Sequence, residues 1–370
     1  MNEGKNTSLL VVTGGGTGGH LFPALSVVEA VKELAPQQEI LYIGRDAERD
    51  RMEVQKRNIP FAGLTLMGLR RRITVENIKA LWLFWRGVQQ AKKMMREYPC
   101  GVVFGVGGYV SAPAMIAGWQ LGWHVCLHEQ NTIPGLVNRT LARWCSHVYA
   151  TFDISTKYLK NKNCTVSGFP LRKSILQAAK QRHHLAEPSN QPPYILLIGG
   201  SQGAKRLVEL VNPVFHDLDK QGIAYNATVQ TGERNFEAAQ AMSWSANATL
   251  VPFIHDMAEA YFKTDIIISR AGAGSLSEIA LWGIPAILVP YPYASENHQE
   301  HNAKAWVDAG AAVCLREQEL TSEKLYSEIA GLLQHADRRK DMHGGAASLA
   351  RSDAAQTIAQ DLIGLLEANA

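Results

Sequence analysis

Leu9-Leu10-Val11-Val12-Thr13-Gly14-Gly15-Gly16-Thr17-Gly18-Gly19-His20 is the stretch that decides the fold. The apolar run reads as a buried strand over residues 8–13, the glycines as a loop, and residues 22–34 as the helix that follows. Glycine allows the turn and lets main-chain N–H groups approach an anion with no Cβ in the way. A helix expected to begin near Leu21 adds its positive dipole end, which suits a phosphate or pyrophosphate. Gly14, Gly16 and Gly19 also fit G-x-G-x-x-G, and Asp46 beyond a second strand (39–43) could serve as a ribose-binding acid. A nicotinamide dinucleotide is therefore a competing reading at this point.

Further along the chain the same alternation continues, with strands at 102–106, 124–128 and 148–150. It restarts at 194–198, which leads into Gly199-Gly200-Ser201-Gln202-Gly203-Ala204, and strands follow at 227–230, 249–251, 266–269 and 286–289. Residues 177–193, rich in Gln, Pro, Ser and His, separate the series as a connection or a surface excursion. Strands alternating with helices imply parallel sheets covered on both faces, with ligands beyond the carboxyl ends of the strands. The expected class is α/β, two Rossmann-like doubly wound domains facing a cleft. A third loop, Gly105-Val106-Gly107-Gly108-Tyr109-Val110-Ser111, joins the other two. A single glycine loop could be a mere tight turn, but three at strand ends point to phosphate-bearing ligands.

A chain of 370 residues, 46% hydrophobic, can bury two cores. It has no apolar run of about 18 residues, the length a transmembrane helix needs. The start lacks a signal-peptide core with a cleavage site behind it. Five scattered cysteines without CxxC spacing fit a reducing cytoplasm. No His/Asp/Glu cluster with clear ligand spacing suggests a catalytic metal. Residues 1–165 carry 20 Lys/Arg against 12 Asp/Glu (+8), and the remainder 17 against 22 (−5), giving the overall +3. The basic half suggests an anionic partner there.

Residues 73–95 have helical periodicity with two apolar stripes. Ala80, Phe84, Gly87, Ala91 and Met94 form one, suited to a sheet; Ile78, Leu81, Trp82, Trp85 and Val88 form the other. Arg70, Arg71, Arg72, Lys79, Arg86, Lys92 and Lys93 surround them, as an interfacial anchor needs; a broad core face with solvated charges is the alternative. The most specific local signal is Ser269-Arg270-Ala271-Gly272-Ala273-Gly274-Ser275-Leu276-Ser277-Glu278. There Ser275 and Glu278 have capping-box spacing. Alternatively, Glu278 accepts both hydroxyls of a ribose while the small residues leave room for a diphosphate.

Six segments in order resemble the MurG family of family 28 glycosyltransferases, over essentially the whole chain. They are Gly15–His20, Gly107–Ser111, His128-Glu129-Gln130-Asn131, Gly199–Ala204, Ser269–Glu278 and Asn297-His298-Gln299. The resemblance implies a GT-B fold, with residues 1–170 and a returning helix at 349–370 holding the undecaprenyl-linked acceptor, lipid I. Residues 171–348 would hold UDP-GlcNAc. It carries donor contacts over to Thr17, Gly18, Gly19, Asn131, Arg172, Ser201, Ile254, Ala273, Gly274, Ser275, Leu276, Ser277, Glu278 and Gln299. Glu278 would take the ribose, Gln299 the sugar hydroxyls, and the Ile254 backbone the uracil. Gly15, Gly16, Gly107, Gly108 and Tyr109 are expected at the acceptor diphosphate. Trp119 joins Ile78, Leu81, Trp82 and Trp85 at the membrane. One departure is Phe169, where the family commonly has Asn; it bears on Arg172 three residues on.

The implied reaction is inverting transfer to the muramoyl 4-hydroxyl, without cofactor or metal. His20 is the candidate base, with loop bracing as its other role, and Glu129 is the rival base. The implied location is peripheral, on the cytoplasmic face of the inner membrane, against an anionic surface and alongside other cell-wall synthesis proteins. Nucleic acid is not an expected partner. Remaining alternatives are a UDP-GlcNAc epimerase, a glycolipid synthase, or a silent scaffold binding lipid-linked sugars.

Overall fold

The computed structural model describes residues 8–68, 75–182, 191–199 and 203–368. The chain divides into two compact units: residues up to Arg172 together with the tail from Ser352, and Lys173–Arg351. The first holds β1 (Leu9–Thr13), β2 (Glu39–Arg45), β3 (Phe61–Leu64), β4 (Gly101–Gly105), β5 (His124–Glu129), β6 (His147–Ala150) and β7 (Cys164–Val166). Their order is β3-β2-β1-β4-β5-β6-β7, all parallel. The second holds β8 (Tyr194–Ile198), β9 (Asn226–Gln230), β10 (Ala248–Val251), β11 (Ile266–Ser269), β12 (Ala286–Leu288) and β13 (Ala312–Cys314). These run β10-β9-β8-β11-β12-β13, again all parallel.

Strand order reverses between β1 and β4 and between β8 and β11, the switch points where such sheets bind ligands. The glycine loops leave those strands. β1 has both faces buried, which explains its unbroken apolar run. Leu10 and Val12 pack with Ile358, Ala359 and Leu362 of the last helix, Ala354–Glu367. Leu9 and Val11 face Val88, Met95 and Met115. That last helix lies against the helix Gly18–Leu34.

Three strands lie where the sequence shows none: β3, β7 and β13. Each is a short edge strand, partly exposed, so the unbroken apolar signal of a buried strand is missing. The first helix begins at Gly18, not near Leu21, because Thr17 is extended (φ −142°, ψ 156°) and Gly18 and Gly19 form its first turn. In the helix Val75–Met95, Leu83, Val88 and Met95 are buried with Ala80, Gly87 and Ala91. Val88 therefore belongs to the core stripe, not the outer one. Among the described residues no helix is long and apolar enough to cross a membrane.

Candidate functional site

In the first unit the loop after β1 is shaped by Gly15 (φ +118°) and Gly16 (φ +81°). Gly16 donates its amide to Asp50 Oδ2 at 2.9 Å, from the helix Glu48–Gln55. A phosphate on that amide would meet a carboxylate already in place. The acceptor-diphosphate role expected of Gly15 and Gly16 therefore does not fit this geometry. Beyond them, Thr17, Gly18, Gly19 and His20 open the helix; the Gly18 and Gly19 amides have no carbonyl one turn back, while the His20 amide donates to the Thr17 carbonyl at 3.2 Å. Thr17 Oγ1 and His20 Nδ1 lie 2.8 Å apart, and the imidazole edge carrying Nε2 faces Gly108 across the switch point.

Gly107 and Gly108 are left-handed (φ +85° and +75°), and a Cβ on Gly107 would lie 2.7 Å from the Asn138 amide nitrogen. Packing as well as ligand access thus demands glycine there. Ser111 Oγ donates to the Gly108 carbonyl at 2.9 Å and closes the turn around Tyr109, whose ring packs on the core.

Glu129, the rival base, is 1% exposed. Its Oε1 accepts Asn131 N at 2.8 Å and its Oε2 accepts Asn138 Nδ2 at 2.6 Å. Burial pushes its carboxyl up to about 7 against these bonds and that of Gly135. A group sealed in this way cannot reach an acceptor hydroxyl and instead clasps the 130–138 loop, which carries Asn131. Beside it His128 is fully buried, with Nε2 3.0 Å from the Gly168 carbonyl, and burial pushes its pKa down to about 4. Phe169 fills the space edge-on to His128 (6.2 Å between centroids). Arg172 sits over the Phe22 ring at 5.4 Å.

In the second unit, Ser201 lies outside the described residues with Gly200 and Gln202. The next glycine, Gly203 (φ +74°), is pressed on the Thr231 carbonyl, which a Cβ would meet at 2.1 Å. The helix Ala273–Trp282 follows β11 with Gly272 as its N-cap. It starts too early for Ser275 to cap it, so the capping box is not realised. Ala273, Gly274 and Ser275 supply the first-turn amides, and Glu278 lies one turn on, half-buried. Its Oε2 accepts the Tyr261 hydroxyl at 3.0 Å. Leu276 is fully buried, so only its backbone can meet a ligand, while Ser277 is half-buried. Gln299 Oε1 accepts Ala271 N (3.2 Å) and Tyr291 N (2.9 Å), pinning two loops together. Ile254 packs on the core below this helix.

Sequence reasoning missed Asp50, Asn138, Tyr261 and Asn302, whose Nδ2 donates to the Ala271 carbonyl at 3.1 Å. It also passed over Arg270, inside the most specific motif. Arg270 pairs with Glu317 and donates to the Val289 and Pro290 carbonyls.

On the helix Val75–Met95, Ile78, Leu81, Trp82 and Trp85 are all at least half exposed, and Trp119 stacks on Trp144 at 5.4 Å. Arg86 lies over the Trp82 ring. Arg70, Arg71 and Arg72 lie outside the described residues.

The profile of the glycosyltransferase family 28 N-terminal domain matches residues 10–150, and that of the C-terminal domain residues 194–358. A UDP-N-acetylglucosamine–N-acetylmuramyl-(pentapeptide) pyrophosphoryl-undecaprenol N-acetylglucosamine transferase from Desulforamulus reducens is 38% identical, over 94% of this chain and 96% of its own. The chain belongs to glycosyltransferase family 28. An enzyme of the same name from Moorella thermoacetica is 36% identical over 97% of this chain and 99% of its own. The crystal structure of MurG from Acinetobacter baumannii superposes with a TM-score of 0.79 at 27% identity, covering 97% of this chain and 99% of that one. Within family 28, the two tandem sheets seen here are the GT-B architecture.

Proposed function

We propose that the protein moves GlcNAc from UDP-GlcNAc to the 4-hydroxyl of MurNAc-pentapeptide-diphospho-undecaprenol, giving lipid II for peptidoglycan synthesis. The observation that carries this reading is the likeness, over nearly the full length, to family 28 enzymes named for that reaction. The second unit is the donor side. The Ala273–Ser275 amides take the diphosphate, Glu278 the ribose, Gln299 the sugar, and the Ile254 backbone the uracil. Ser201, Asn131, Arg172 and Thr17–Gly19 complete the donor contacts. The first unit is the acceptor side, with the diphosphate against Gly107, Gly108 and Tyr109.

The acceptor oxygen bonds to the anomeric carbon as the bond to UDP breaks on the opposite face, inverting the centre. His20 takes the proton. That role needs the tautomer in which Nδ1–H donates to Thr17 Oγ1, leaving the lone pair on Nε2. The helix starting at Ala273 stabilises the departing diphosphate with its first-turn amides and dipole, ~0.3–1 kcal/mol when exposed and up to ~2 when partly buried.

The exposed Ile78, Leu81, Trp82, Trp85 and Trp119, with basic neighbours, support a peripheral seat on the cytoplasmic face of the inner membrane. Other cell-wall synthesis proteins are expected nearby. Incubating the protein with labelled UDP-GlcNAc and a lipid I analogue should move label into the lipid fraction. Sugar-nucleotide turnover without an acceptor, or no transfer at all, would contradict this function.

A further inference from the structure

Asp50 is a carboxylate where a glycine loop would be expected to hold a ligand anion. It is 5% exposed, yet the partner of its Oδ2 is the amide of Gly16, 34 residues away in sequence. Carboxylates are rarely this buried unless paired. The loop is cut to admit it: a Cβ on Gly15 would come within 2.5 Å of Oδ2, and both glycines hold φ values that side chains disfavour. Under the same loop the Tyr42 hydroxyl is buried without a hydrogen-bond partner. Its ionisation is pushed far up by burial first and by the charge of Asp50 second. It stands 3.5 Å from where a Cβ on Gly14 would lie. Asp50 therefore reaches the loop across a floor that offers it no cation among these neighbours, and its bond to Gly16 fixes the turn one residue before Thr17.

We propose that Asp50 is a positioning residue for glycosyl transfer, whose bond to the Gly16 amide sets the turn that presents the Thr17–His20 pair. The proposal rests on the transferase reading above. It differs from a general stabilising role in what it touches: the loop carrying His20, and not the nucleotide seat on the helix Ala273–Trp282.

The test compares wild type, Asp50→Asn and Asp50→Ala in the lipid I transfer assay, with UDP binding followed by calorimetry. Asp50→Asn keeps a carbonyl oxygen for Gly16 and should retain at least half of the wild-type kcat. Asp50→Ala should lose tenfold or more in kcat, a larger factor than any change in the KM for UDP-GlcNAc passed on through Thr17–Gly19, with the Kd for UDP within threefold of wild type. Wild-type kcat in Asp50→Ala overturns the proposal, and so does an Asn variant as slow as the Ala variant. If Asp50→Ala does not fold, Asp50→Asn decides alone, a tenfold loss in kcat again overturning bracing. An inactive wild type would instead count against the transferase reading.

Discussion

Both units launch a helix from a buried parallel strand at the point where the sheet order reverses, and both pin an amide just before it with a side chain from another helix. In the first unit the brace is the carboxylate of Asp50 on Gly16; in the second it is the neutral amide of Gln299 on Ala271. The difference lies in charge. Two unit charges 4 Å apart interact by about 4 kcal/mol at an effective dielectric of 20. A phosphate at Gly16 would face a repulsion of that order, whereas one at Ala273–Ser275 faces none from Gln299. On the proposed reading similar loops thus take different tasks: the second seats the donor diphosphate, and the first presents His20 and adds Thr17–Gly19 to the donor contacts.

The comparison breaks most visibly at His20. His20→Ala should lower kcat by about 10²–10⁴-fold, the usual worth of a general base. A loss under tenfold in the transfer assay would leave the first loop without a chemical task. Glu278→Ala should act on the other side, raising KM for UDP-GlcNAc by roughly 10–100-fold, as a lost charged hydrogen bond of about 1.5–3 kcal/mol implies. Tyr261→Phe, which removes one hydrogen bond to the Glu278 carboxylate, should shift KM the same way by less.

The Glu129 clasp on the 130–138 loop makes a pH-dependent prediction. The folded carboxyl of Glu129 titrates near 7, above its ordinary 4.5, so the folded state holds that proton more tightly. Its contribution to stability therefore falls as pH rises from about 4.5 to 7, by at most roughly 3 kcal/mol. His128, pushed down to about 4, acts oppositely, costing stability as pH falls from its ordinary 6.5 toward 4. Comparing wild type with Glu129→Gln cancels the histidine. Wild-type stability relative to the variant should fall across pH 4.5–7 in thermal melts, and a constant difference would mean the carboxyl titrates normally. Asn138 can accommodate the variant by turning its amide, since its Oδ1 is buried without a partner. The smallest effect concerns the surface: Trp82→Ala with Trp85→Ala should weaken binding to anionic vesicles at low salt while leaving transfer to a soluble acceptor analogue unchanged. Unchanged vesicle binding would remove the membrane role from this face.

Sequence alone makes legible the features that rest on unbroken local pattern. The central strands of both sheets, the three glycine loops and the run Ser269–Glu278 stand out because burial on both faces and tight turns leave strong local signatures. The edge strands β3, β7 and β13 do not, since an edge needs little apolar surface. The helix starts at Gly18 and Ala273 are hidden because glycine and small residues read as loop until tertiary context fixes them. Asp50, Tyr261 and Asn302 arrive from other elements, and no local motif announces them. Glu129 is legible as a carboxylate in a motif, but its burial is not, and burial turns a candidate base into a clasp. Phe169, which departs from the family pattern, is accounted for by its packing on His128.

The central claim is the division of labour between the two helix starts, and titration of UDP by calorimetry into wild type, His20→Ala and Glu278→Ala tests it most directly. The affinity of His20→Ala should stay within threefold of wild type, while that of Glu278→Ala should fall at least tenfold. Intact affinity in Glu278→Ala with a loss in His20→Ala would contradict the account.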